Sequence, residues 1–185
     1  MQLKLASLIL AAISTVAVAG PAPSIAQIEA RKAPLTCGNP SHAVPLYRSF
    51  NGPRLDHFYT TSSTEHQNAV RNLGYADEGI AGYLFTTQEQ RTVPLYRLYS
   101  GGTVDHFYTT DVAERNNARD RLGYTDEGIA GYVYPDAECG GLPFYRLWNG
   151  VWTDHFYTMS YPERENAAVN LGFTREGVTG YIFPL

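Results

Sequence analysis

Residues 44–85 read VPLYRSFNGPRLDHFYTTSSTEHQNAVRNLGYADEGIAGYLF, and the string returns twice. Residues 93–134 read VPLYRLYSGGTVDHFYTTDVAERNNARDRLGYTDEGIAGYVY, and residues 142–183 read LPFYRLWNGVWTDHFYTMSYPERENAAVNLGFTREGVTGYIF. The period is 49 residues without a gap, so Pro45, Pro94 and Pro143 are equivalent, as are Asp56, Asp105 and Asp154. Self-similarity at a fixed period marks a repeat architecture whose units cannot bury their apolar faces alone.

Within a unit, Pro45 to Phe50 reads as a strand and Asn51-Gly52-Pro53 as turn chemistry. Asp56 to Thr61 follows as a second strand, aromatic and β-branched, whose period of two puts Asp56 and Phe58 on one face and His57 and Tyr59 on the other. From a regular strand, Asp56 and His57 cannot act together on one ligand. Ser62 with Glu65, Asp111 with Glu114, and Ser160 with Glu163 each carry the spacing of a capping box, so a helix starts three times. Ala69, Val70 and Leu73 give it an apolar stripe of about three turns. Gly74, Gly123 and Gly172 sit where a left-handed helix end belongs. Glu78 to Phe85 closes the unit as a strand whose glycines mark close backbone approach. The predicted fold is α+β and β-rich: three tandem β-β-α-β repeats (44–92, 93–141, 142–185) in a closed pseudo-threefold ring, propeller-like or trefoil-like, because closure covers the terminal edges. An open solenoid is the alternative.

Residues 1–19 have the layout of a secretory signal: Lys4, an apolar run from Leu8 to Val18, and Ala17-Val18-Ala19 as a small-residue cleavage site. That run is shorter than the ~20 residues that span a bilayer. The expectation is a secreted, extracellular chain with no membrane anchor after signal removal. Residues 20–36 read as a flexible leader, with processing near Arg31-Lys32 open, and residues 37–185 as one domain. Cys37 and Cys139 are the only two cysteines, and in an oxidising compartment they are expected to pair, tying the start of unit three to the segment before unit one. A formal charge of −4 and a sequence pI near 5.7 remove the electrostatic reason for binding nucleic acid.

The set PLYR, DHFYTT, a Glu-bearing helix ending in LGY, and EGIAGY resembles the DUF5648 family of secreted repeat proteins in fungi and bacteria, over residues 44–185. The resemblance implies a secreted module of uncharacterised function, sometimes joined to cell-wall or polysaccharide-degrading enzymes, which points towards carbohydrate binding. Departures gather in unit three: Phe144, Met159, Arg175 and Thr179. They put strict equivalence of three sites in doubt.

Arg48, Arg97 and Arg146 share a strand face with apolar neighbours and need partners if buried. Asp56, Asp105 and Asp154 or Glu78, Glu127 and Glu176 can supply an ion pair, and the same groups can clamp sugar hydroxyls. A threefold axis could bring His57, His106 and His155 together as a zinc-type site, but symmetry alone makes equivalent histidines, so structural histidines are favoured and neither metal nor cofactor is assigned. Trp148 and Trp152 flank the variable turn of unit three, where loop aromatics on a rigid scaffold serve binding. No Gly-x-Ser-x-Gly, His-Glu-x-x-His or phosphate loop is present. The sequence therefore reads as a noncatalytic lectin-like module for glycans or cell-wall polysaccharide. The alternatives are a secreted hydrolase with an Asp/His/Glu site and an extracellular protein-binding effector or inhibitor. No feature sets an oligomeric state.

Overall fold

The structure, a computed structural model, describes residues 36–184. The predicted signal and all but the last residue of the predicted leader lie outside the described residues. Each repeat forms the β-β-α-β unit that its pattern predicts. Unit one comprises β1 (Val44–Asn51), β2 (Asp56–Thr60), α1 (Ser63–Asn72) and β3 (Ala76–Leu84). Unit two comprises β4 (Val93–Ser100), β5 (Asp105–Thr109), α2 (Val112–Arg121) and β6 (Thr125–Val133). Unit three comprises β7 (Leu142–Asn149), β8 (Asp154–Thr158), α3 (Tyr161–Asn170) and β9 (Thr174–Ile182). The sheets are three-stranded and antiparallel, ordered β2-β1-β3, β5-β4-β6 and β8-β7-β9, and no sheet closes on itself. Among the described residues no helix is long and apolar enough to cross a membrane.

The helices start as their N-cap residues dictate: Ser62 and Ser160 accept from the N–H of Glu65 and Glu163, and Asp111 accepts from Ala113 and Glu114. The reciprocal half of the capping box is not made, because the glutamates turn to other partners. Only a thin apolar stripe is buried. Ala69, Ala118 and Ala167 lie in the core, whereas Leu73 is 56% exposed, so packing onto the sheet and the caps rather than amphipathicity hold these ten-residue helices. Gly74, Gly123 and Gly172 have φ of 80°, 80° and 78° as their positions predict. Gly123→Val, with open space around its Cβ, should cost more than ~1 kcal/mol through backbone strain alone, read as a lower urea midpoint.

All three units feed one core, in which Leu46, Leu95 and Phe144 meet Leu84, Val133 and Ile182. At its centre Tyr59, Tyr108 and Tyr157 stand edge to face at 5.4–5.6 Å. Each hydroxyl serves the backbone of another unit: Tyr59 donates to the Tyr157 carbonyl and accepts its N–H, Tyr108 does so at Tyr59, and Tyr157 at Tyr108. Burial raises the pKa of all three hydroxyls well above the ordinary tyrosine range, so they stay neutral donors. Backbone bridges Phe85–Tyr132, Tyr134–Tyr181 and Tyr83–Phe183 connect each unit to both others. Cys37 and Cys139 form the predicted disulfide, 102 residues apart in sequence. The segment it anchors is held further by His42 against Glu89 at 2.6 Å.

Candidate functional site

The chain enters each second strand through a left-handed residue: Leu55, Val104 and Thr153 have φ of 56°, 56° and 55°. This conformation is rare for side chains of their shape and costs on the order of 1–3 kcal/mol. It delivers Asp56, Asp105 and Asp154, all fully buried, to a common cluster in which one oxygen of each lies within 4.8 Å of the others. Oxygen ligands in such a group suit a hard cation, but both oxygens of every carboxylate are already engaged. Asp56 accepts the backbone N–H of His106 at 2.9 Å and its Nδ1–H at 2.8 Å, plus the Tyr75 hydroxyl. Asp105 accepts the same pair from His155 and the Tyr124 hydroxyl at 2.5 Å. Asp154 accepts the pair from His57 alone, since unit three has Phe173 where the others have tyrosine.

Asp56 and His57 thus point apart, as strand alternation requires, while each aspartate pairs with the histidine of another unit. That overturns the idea of three imidazoles converging on an axis. The carboxylates converge, and each histidine turns its Nε2 outward to a separate place, 3.9, 4.0 and 3.8 Å from Glu78, Glu127 and Glu176.

The arginines find glutamates and not the aspartates. Arg48 makes a two-pronged contact with Glu163 of unit three at 3.0 and 3.1 Å, and its Nε lies 3.0 Å from Glu78. Arg97 does the same with Glu65 of unit one and Glu127, and Arg146 with Glu114 of unit two and Glu176. Each guanidinium lies over a phenylalanine of the unit that supplies the helix glutamate: Arg48 on Phe156, Arg97 on Phe58 and Arg146 on Phe107, at 5.3–5.4 Å. Burial opposes the charge of each arginine, but the carboxylates and a neighbouring tyrosine raise its pKa above the ordinary value. Burial likewise works against the charge of Glu65, Glu114 and Glu163, yet the arginine and a threonine hydroxyl on each leave its pKa lowered. A lowered carboxylate favours the fold above the unfolded pKa of about 4.3 and loses that contribution as pH falls through the folded value. The melting temperature should therefore drop on acidification below about pH 4.3. Glu65→Gln should start less stable and lose less over that interval, and equal acid sensitivity in the two proteins would refute the assignment.

Over each brace lies an open cleft between two units. Units one and two enclose about 520 Å³, units three and one about 380 Å³, and units two and three about 270 Å³. Every cleft has the arginine with its two glutamates, a histidine, a helix asparagine (Asn68, Asn166 or Asn117) and an exposed leucine (Leu73, Leu171 or Leu122). An aromatic ring stands on the histidine in each: Tyr99 on His106, Phe50 on His57 and Trp148 on His155, at 4.4–4.6 Å. Trp152 lines a different cleft from Trp148, that between units three and one, with its edge on Phe173. Both tryptophans are half-buried, so neither is the free loop aromatic that the turn suggests.

The sequence-derived residues fall into two places: arginines, histidines, the second glutamates and tryptophans line clefts, and aspartates lie beneath in the core. Missing from that set were Glu65, Glu114, Glu163, Phe50, Tyr99 and the three asparagines. The asparagines carried a signal in their recurrence at one exposed mid-helix position in all three units, although Asn68 and Asn166 also accept from Asn72 and Asn170 one turn on.

Three β-β-α-β units sharing one core and three inter-unit clefts define the chain as a short tandem-repeat protein. The profile of the family described as Domain of unknown function (DUF5648) matches residues 39–183, and the chain belongs to that family. Comparison with curated proteins and with solved structures returned no match.

Proposed function

We propose that this chain is a secreted, noncatalytic, lectin-like module, closed as a pseudo-threefold ring of propeller-like or trefoil-like kind, that binds glycans or cell-wall polysaccharide. The carrying observation is the cleft itself, repeated three times with a ring at its wall and polar groups at its base. Repetition gains avidity on a polymeric ligand, whereas catalysis gains nothing comparable from three copies. Aromatic faces stack on sugar rings, and Asn and Glu at the same wall supply hydroxyl partners.

Hydrolysis is the second reading, favoured by the carboxylate-backed histidines whose Nε2 faces a glutamate in every cleft. Against it, the helix glutamate of each cleft is held by its arginine and a threonine hydroxyl with its pKa lowered, the opposite of what a general acid needs.

Pull-down on insoluble cell-wall polysaccharide tests the proposal. Trp148→Ala and Trp152→Ala should each weaken retention by disabling one cleft, and the double variant by far more, because avidity multiplies. Melting curves run alongside separate lost binding from lost fold. Wild type that binds no polysaccharide, or tryptophan variants that melt early yet bind normally once folded, would sink the reading.

A further inference from the structure

The clefts differ in charge and in their wall residues. In each, two glutamates face one arginine, and that arginine is already held by both, so what the cleft offers a ligand is mainly carboxylate lone pairs. The turn then decides the balance. Equivalent positions carry Arg54 in unit one, Thr103 in unit two and Trp152 in unit three. Arg54 lines the cleft between units one and two, is exposed, and has no ion-pair partner among the described residues. That cleft balances two glutamates with two arginines. The others keep an excess of negative charge, and each adds a tryptophan face: Trp152 between units three and one, Trp148 between units two and three.

Acceptor-rich carboxylates beside an indole face are what a small cation with an apolar ring face requires, since ammonium groups are attracted both to carboxylate and to the ring quadrupole. The volumes, about 380 and 270 Å³, lie just above and just below the lower bound of the roughly 300–1,000 Å³ of ligand pockets, a size for one sugar residue. We infer that the two tryptophan-walled clefts select protonated amino sugars of the glucosamine type over neutral and acidic sugars, and that Arg54 turns them away from the third. This rests on the glycan-binding reading and sharpens it.

Calorimetric titration of the secreted protein with glucosamine hexamer, N-acetylglucosamine hexamer and a galacturonate oligomer tests it, at a pH where the amine is protonated. Wild type should bind the glucosamine hexamer about tenfold more tightly than the N-acetyl form, a single-charge effect, and the preference should shrink in high salt. With Tyr99 supplying the ring face in the third cleft, Arg54→Thr, which installs the residue unit two carries, should raise the glucosamine stoichiometry from two sites to three. Its exposed position leaves the fold intact, checked by an unchanged melting temperature. Equal or tighter binding of the N-acetyl or galacturonate oligomer overturns the amine preference and leaves the lectin reading standing. Unchanged stoichiometry in Arg54→Thr overturns the role of Arg54. Failure to bind any oligomer overturns both readings, and so does capture of a lysine-rich peptide with no binding of glucosamine hexamer.

Discussion

Asp105→Ala is expected to lower stability by about 3 kcal/mol, at the lower edge of the 3–5 kcal/mol seen when one member of a buried pair is removed. The substitution strands three donors around a fully buried position: the His155 N–H, its Nδ1–H and the Tyr124 hydroxyl. Each unsatisfied buried donor costs about 1–3 kcal/mol. Part of that is offset because Asp105 shares its 4.8 Å neighbourhood with two further carboxylates whose repulsion is relieved. Asp154→Ala should cost less, since only the two His57 donors depend on it. Urea unfolding of the two variants beside wild type reads both the size and the order. An Asp105→Ala protein as stable as wild type would mean that repulsion dominates the cluster and that the cross-unit histidine pairs hold nothing together.

The second large effect lies at a bridge between units. Gly131 faces Leu84 and Phe85 of unit one so closely that a Cβ there would meet the Leu84 side chain and come within 2.8 Å of the Phe85 carbonyl oxygen. A rotamer change can move Leu84, but the carbonyl belongs to the bridge in which Tyr132 donates to it at 2.8 Å. Gly131→Val must therefore push two units apart, and about 3 kcal/mol, the upper end for overpacking, is expected, seen as a fall in melting temperature. Gly82 and Gly180 occupy the same place at the other two bridges, near the Phe183 and Tyr134 carbonyl oxygens at 3.0 and 3.3 Å. A fully stable Gly131→Val protein would show that the units dock less tightly than these contacts require.

What could be read beforehand was whatever repeats locally. The 49-residue period defined the units, the Ser/Asp-x-x-Glu spacing placed the helix starts, and the glycines in the last strand foretold the close approach now seen at Gly131. Strand alternation rightly separated Asp56 from His57. It could not reveal that Asp56 meets His106, because a pairing across 50 residues leaves no mark on local periodicity. The same limit hid the partner of Arg48. Glu163 looked like half of a capping box, and its actual place, 115 residues away from Arg48 in sequence, follows only from how unit three packs on unit one. Trp148 misled for another reason: it lies one residue before the end of a strand next to a turn, and only its ring contact with His155 shows that it belongs to a wall and not to a loop tip.

Every cleft takes its helix side from one unit and its arginine side from another, so a lone unit owns two halves and no whole. The number of clefts in such a molecule is a property of junctions and not of copies. Removing one of the three units would erase two clefts and leave one, a steeper loss than copy number suggests. Gain would be equally abrupt: one unit forms no cleft, two that abut form one, and the third completes two at once.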